Sequence, residues 1–210
     1  FKGSAVSGTP GIQLIMPSGS PSKALLRRQM RQGRRALQAA QQLAAAESAA
    51  LHLTRLPNWH SADRIAVYLA SDGEIDTGPL SARCRNAGKV LFLPHISSQN
   101  LLEFAAWQTN DTLVPNRYGI PEPPLQAKRC TPTELDISVL PLVAWDRRGG
   151  RLGMGGGFYD RALAGARGPC LLVGLAHSLQ ELPEVPRDDW DVPLDFVATE
   201  ITLHCCQGGD

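Results

Sequence analysis

Apolar positions change their period along this chain, and the changes mark out its elements. Beginning at Ser22, the residues Leu26, Met30, Gly33, Leu37, Ala40 and Ala44 recur at three- and four-residue steps, which predicts a helix capped by Ser22. A second helix is expected over residues 44–56. Short apolar runs at 64–69, 89–93, 101–107, 137–143, 170–176 and 196–203 read as buried strands. Between the first two, Asp76 or Thr77 is placed to cap a helix that Pro79 suits near its start and Gly88 ends. Strand, helix and strand in that order imply a parallel pair with a right-handed crossover. The expectation is therefore an α/β fold: a three-layer single domain with a mainly parallel open sheet flanked by helices. Its ligand site belongs at the C-terminal strand edges. Residues 1–21 are small, aperiodic and rich in Pro, Gly and Ser, so they are expected to be a disordered leader, with the domain at 22–210. Five prolines between 112 and 132 indicate a long ordered loop of the kind that often carries function.

Composition narrows the function classes. Over 210 residues the net charge is +1, which gives no general pull toward nucleic acid or membrane. No apolar run reaches the ~18 residues of a membrane span. The five cysteines, Cys84, Cys130, Cys170, Cys205 and Cys206, form no CxxC pair and no zinc spacing, which fits reduced thiols in a cytoplasmic protein. The five histidines form no triad or metal spacing either. A monomer is the expected state.

The chemistry concentrates around Arg151-Leu-Gly-Met-Gly-Gly-Gly-Phe-Tyr-Asp160. This stretch follows an apolar strand and leads into a helical pattern, so its glycines are expected at a strand-to-helix turn. There backbone N–H groups can converge on phosphate oxygens, aided by the positive end of the helix. Arg148 and Arg151 flank the loop, and Asp160 closes it with a carboxylate suited to magnesium. The loop matches neither a P-loop nor a dinucleotide fingerprint, so any lysine serving phosphates must come from elsewhere. Lys23, Arg27, Arg31 and Arg35 follow at i, i+4 along the first helix. Such a stripe is either a solvated face or a bank of cations in which Lys23 and Arg27 supply the glycine loop. Glu74 falls just past a strand end, where open α/β sheets bind ligands. Trp107 ends another strand as core or as a stacking surface. One of Asp188, Asp189 and Asp191 could join Asp160 around magnesium.

With these residues in view, the chain resembles the 5-formyltetrahydrofolate cyclo-ligases, also called methenyltetrahydrofolate synthetases. The likeness runs from Lys23 to near the end. It rests on Lys23-Ala-Leu-Leu-Arg27, Tyr68-Leu69 leading to Glu74-Ile-Asp-Thr77, Gly119-Ile-Pro-Glu-Pro123, Pro141-Leu-Val-Ala-Trp-Asp146, the glycine motif, and Trp190-Asp191 ahead of Thr199-Glu200. The resemblance implies an ATP- and Mg²⁺-dependent ring closure of 5-formyltetrahydrofolate to 5,10-methenyltetrahydrofolate, with release of ADP and phosphate. It implies no covalent protein nucleophile. It assigns Lys23, Arg27, Arg151 and the loop Gly153, Gly155, Gly156, Gly157 to ATP, with Arg148, Phe158 and Tyr159 beside them. Asp160 and Asp191 match magnesium carboxylates; Glu74, Trp107 and Tyr159 match positions lining the folate. Met154 and Gly156 stand where some members carry basic residues, Phe158 replaces a frequent Tyr, and Trp145 a frequent Phe.

Two other readings share some of these residues. Another ATP-dependent activating enzyme on this fold would bind ATP without folate. A nucleic-acid-binding module using the basic helix would show a steep salt dependence of affinity.

Overall fold

Ser22 opens the first helix as its spacing predicts: its Oγ accepts the Leu25 N–H at 3.3 Å, and α1 runs Lys23–Arg35. The computed structural model describes residues 22–206 apart from 98, 100, 118 and 165–167; the leader expected at 1–21 lies outside the described residues. Helix α2 spans Ala39–Leu53 and starts earlier than the apolar pattern indicates. Gln41 Oε1 accepts the Gln38 N–H at 2.9 Å and satisfies a free donor at the new start, which the polar Gln41 and Gln42 conceal in a hydropathy reading.

Strands β1 (Arg64–Ala66) and β2 (Val90–Ile96) enclose α3 (Gly78–Asn86), and they pair in parallel with Ile65 opposite Leu91. Then come β3 (Leu102–Ala106), β4 (Val114–Pro115), β5 (Pro121–Glu122), β6 (Arg129–Cys130) and β7 (Ile137–Pro141). A hairpin of β8 (Ala144–Trp145) and β9 (Arg151–Leu152) precedes α4 (Phe158–Leu163), and β10 (Leu171–Leu175), β11 (Phe196–Ala198) and β12 (Leu203–Cys205) follow. The main sheet has the order β12-β11-β10-β7-β1-β2-β3-β6. Its five central strands from β11 to β2 are parallel, while β12, β3 and β6 are antiparallel additions at the edges.

The direction of β3, which the sequence reading left open, and two differences from that reading have local causes. Strand β3 returns antiparallel because the chain reverses within a few residues, where the Ser97 N–H donates to Leu101 O at 2.9 Å; that span is too short for a crossover. The run 196–203 is two strands, since Thr199 Oγ1 accepts the N–H groups of Ile201 and Thr202 at 3.2 Å and turns the chain. The glycine stretch does not leave the main sheet directly: the β8/β9 hairpin stands between β7 and the loop. Moreover, α4 has only six residues, so its end charge adds little to anion binding.

The sheet buries both faces. On one, Ile65, Val67, Leu91, Leu93, Val139 and Val173 pack against Ala45, Ala49 and Leu53 of α2 and Leu80 and Cys84 of α3. On the other, Ala66, Phe92, Phe104, Leu140, Leu172 and Val197 pack with Leu163 of α4. That alternation along each strand is the three-layer architecture expressed in side chains. A third cluster joins Leu26 and Met30 of α1 to Val143, Ala144, Leu152, Leu182 and Val185, seating α1 on the β8/β9 hairpin. Among the described residues no helix is long and apolar enough to cross a membrane.

Candidate active site

From β1 the chain moves through the sheet one way to β2 and β3, and after β7 it moves the other way to β10 and β11. The order reverses between β1 and β7, and a crevice is expected outside the C-terminal ends of those two strands. A cavity of about 630 Å³ lies there, lined by Pro141 and Leu142 from the end of β7 and by Glu74 from the turn beyond β1. The segment 151–161 forms much of its wall, and Lys23, Arg27, Ile120, Asp188, Trp190 and Asp191 also line it.

The basic wall is assembled by α1. Its buried stripe on the hairpin turns the Lys23 and Arg27 side chains toward the glycine loop, where Arg27 Nε donates to Gly153 O at 2.8 Å. Gly155 and Gly157 have φ of 102° and 62°, a region that costs a residue with Cβ, and at Gly157 a Cβ would also meet the Arg161 guanidinium at 2.8 Å. These glycines let the loop fold back over the cavity. The hairpin beneath is pinned by Asp146, fully buried, whose carboxylate accepts N–H groups from Arg148, Gly150 and Val185 and the Arg187 guanidinium at 2.8–2.9 Å. Despite burial, those partners hold Asp146 below the ordinary carboxylate range.

Opposite stand the carboxylates. Arg151, buried, donates to Asp160 Oδ1 and to Val192 O, and the Val192 N–H donates to the same Asp160 oxygen at 3.2 Å. Asp160 is thereby tied to the loop bearing Asp191. Burial lowers the Arg151 pKa, an effect its Asp160 partner opposes. Lys23 Nζ donates to Asp188 Oδ2 at 2.6 Å and lies 3.5 Å from Asp191 Oδ2, and the hydrogen bond to Asp188 raises its pKa. Among the described residues, four cations (Lys23, Arg27, Arg151, Arg161) and four carboxylates (Glu74, Asp160, Asp188, Asp191) line the cavity.

Glu74 enters from the third side. Its Oε2 accepts the Ser71 N–H at 3.1 Å, and burial raises its pKa. The Tyr159 hydroxyl, buried near Glu74, is also raised by desolvation.

The structure thus brings Lys23, Arg27, Glu74, Arg151, Gly153, Gly155, Gly156, Gly157, Phe158, Tyr159, Asp160 and Asp191 onto one cavity. Two residues expected with them lie elsewhere. Arg148 sits at the tip of the β8/β9 hairpin and reaches outward to Glu184 at 2.6 Å. Trp107 packs against the α2 face of the sheet, with the Arg85 guanidinium 4.3 Å above its ring. Four residues that the sequence reading left without a role also matter here: Asp146, Trp190, Asp72 and Arg34. Asp146 precedes a Gly-Gly turn, Trp190 is exposed beside Asp191, and Asp72 binds Arg31 and Arg35 from the basic stripe. Arg34 is the least expected, a fully buried arginine at the i+4 step after Met30 in the apolar stripe.

Comparison with known proteins covers nearly all of this region. Residues 19–200 match the model of the 5-formyltetrahydrofolate cyclo-ligase family. The 5-formyltetrahydrofolate cyclo-ligase of Escherichia coli is 41% identical over 174 residues, which is 81% of this chain and 96% of that protein. That of Haemophilus influenzae is 39% identical over 173 residues, covering 80% of this chain and 92% of its own. Among solved structures, the 5,10-methenyltetrahydrofolate synthetase of Aquifex aeolicus superimposes with a TM-score of 0.78 at 32% identity, over 90% of this chain and 94% of that one.

Proposed function

The chain belongs to the 5-formyltetrahydrofolate cyclo-ligase family, a family of ligases, and on that premise we propose that it converts 5-formyltetrahydrofolate to 5,10-methenyltetrahydrofolate at the expense of ATP. The observation that carries the reading is the charge of the cavity: among the described residues, as many carboxylates as cations face one space. A bare polyanion would meet Asp160, Asp188 and Asp191 as repulsion. A nucleotide that arrives with a divalent metal meets them as partners.

Lys23, Arg27 and the N–H groups of the 153–157 loop bind the phosphates, with Lys23 exchanging Asp188 for a phosphate oxygen. Asp160 and Asp191 fit magnesium, which needs one or two carboxylates beside phosphates and waters; the hydrogen bonds on Asp160 among the described residues fall on Oδ1. The metal would supply neutralisation of charge on the phosphates. Glu74 accepts hydrogen bonds from the pterin N–H donors, and Tyr159, near it, lines the same pocket.

The chemistry then asks little of the protein beyond placement. The formyl oxygen of the amide is a poor leaving group, so it takes the γ-phosphoryl group as ADP departs. N10 attacks the activated carbon and gives up its proton to the departing phosphate, whose carbon–oxygen bond breaks, leaving the methenyl bridge. Side chains act by alignment and charge neutralisation, which agrees with a cavity built of charged groups and glycine N–H donors. The test is near-ultraviolet absorbance, where the methenyl product absorbs and 5-formyltetrahydrofolate does not, with purified protein and Mg²⁺. A rise that requires ATP supports the proposal; binding of ATP with no rise and no folate binding transfers the reading to another activated substrate.

A further inference from the structure

The turn that delivers Glu74 is held from beneath by one buried side chain. Arg34 is fully buried in α1, and it donates from Nε to Asp72 O at 2.8 Å, from Nη1 to Leu142 O at 3.0 Å and from Nη2 to Asp72 Oδ2 at 2.9 Å. The same Nη2 lies 3.5 Å from Glu74 Oε1. Arg34 therefore bridges α1, the Glu74 turn and the end of β7, all three of which wall the cavity. Asp72 adopts φ of 54° and Gly73 φ of 76°, so the turn is bent into a conformation that most side chains avoid. Around the turn, Arg31 and Arg35 also bind the Asp72 carboxylate, and Gly73 O faces Gln42 Nε2 at 3.4 Å and His177 Nε2 at 3.2 Å. An arginine paired with one carboxylate needs no such turn beside a second one. The second carboxylate is Glu74.

We propose that Arg34 is a positioning residue for the folate pocket: gripping the turn through Asp72, it fixes the direction from which Glu74 enters the cavity and sets a positive charge behind that carboxylate. The inference rests on reading Glu74 as the pterin contact. Burial makes the ionised form of Glu74 costly, and the guanidinium behind it offsets that cost while Asp72 adds to it. Among the described residues, Arg31 of α1, Tyr68 beyond β1 and Tyr159 of α4 also face Glu74, and His177, whose Nε2 meets Gly73 O of the same turn, is held by burial below its ordinary range. Neither tyrosine titrates in the acid range, because burial raises both.

Two variants push Glu74 in opposite directions. Arg34→Met removes the positive charge, so the acid limb of 5-formyltetrahydrofolate affinity moves to higher pH, with about a tenfold loss of affinity on that limb for each pH unit moved. Asp72→Asn suits the left-handed φ, removes the competing negative charge and leaves Arg34 to Glu74, so the limb moves to lower pH. In both, affinity for ATP stays within about twofold, since no phosphate contact is touched. Binding is followed by titration of the full chain between pH 5 and 8, with Glu74→Gln as reference. Opposite displacements are the expected result. If Arg34→Met does not fold, the downward displacement in Asp72→Asn decides alone. A limb unmoved in Asp72→Asn and Arg34→Met but lost in Glu74→Gln overturns the proposal and leaves Glu74 as the folate contact. Unchanged folate affinity in Glu74→Gln overturns that contact itself, and the proposal with it.

Discussion

Arg34 and Arg151 are built alike and do different things. Each is a buried arginine that spends one arm on a backbone carbonyl, Leu142 O or Val192 O, and another on an aspartate. The aspartates part company. Asp72 is surrounded by Arg31, Arg34 and Arg35, its side chain is 13% exposed, and these partners pull its pKa to about 2. Asp160 has one arginine, its side chain is 24% exposed, and it lines the cavity. A carboxylate saturated by protein cations is a structural fastener; one left half open by the same kind of arginine remains available to a ligand. The difference lies in the neighbours and not in the pair.

The strongest way to break that comparison is Asp160→Asn. The amide keeps an acceptor for Arg151 and for the Val192 N–H, but it removes the charge that the proposed function assigns to magnesium. Activity is expected to fall on the order of a hundredfold or more, with the Mg²⁺ requirement raised. Loss of the charge beside buried Arg151 also costs about 1–3 kcal/mol of stability. Rates titrated with Mg²⁺, alongside urea unfolding, separate the two effects. Full activity at low magnesium would remove Asp160 from the metal site.

How much of this was readable beforehand depends on what each signal encodes. Buried parallel strands are continuous apolar runs, so β1, β2, β7 and β10 stood out. A pleat reads the same in either direction, so nothing in Leu102–Ala106 told that β3 would run antiparallel; only its short return from β2 decides that. The glycine loop and Asp160 could be placed on one wall because they are contiguous along the chain. Arg148 was misplaced because adjacency along the chain does not register a hairpin, and Asp146 turns the backbone so that its neighbour points outward. Trp107 was misplaced because strand direction decides which end of the sheet a terminal residue occupies. Arg34 carried a usable signal: an arginine at the core step after Leu26 and Met30 must be buried, and a buried guanidinium must be paired. Its partners, Asp72 and Leu142, are far along the chain and could not be named without the fold.

A smaller effect sharpens the closed half of the comparison. Asp72 has a folded pKa of about 2 against an ordinary 3.8. A depressed carboxylate stabilises the fold above its unfolded pKa and stops doing so as pH falls through the folded value. The contribution is therefore present at pH 7 and lost between about pH 4 and pH 2. Wild type should exceed Asp72→Asn by on the order of 2 kcal/mol at pH 7, with roughly half of that left at pH 3. Urea unfolding of both at several pH values measures it. A difference that does not shrink in acid would mean that the three arginines hold the Asp72 side chain for its shape and not for its charge.

The smallest expected effect belongs to Arg148, which tests whether a cation beside the glycine loop is enough to serve it. Arg148 pairs with Glu184 at 2.6 Å, and the side chains are 54% and 72% exposed. An exposed pair of this kind loses most of its attraction to water and salt, and its removal leaves stability nearly unchanged. Its charge points away from the cavity, whereas Lys23 and Arg27, more distant in sequence, line it. Arg148→Ala should therefore leave the KM for ATP within about twofold, while Lys23→Ala raises it by about tenfold through loss of a charged phosphate contact. Steady-state rates at varied ATP distinguish them. An equal rise in both would put the hairpin tip over the phosphates, and the outward Arg148–Glu184 pair would then be a contact that ATP replaces, as proposed for Lys23–Asp188.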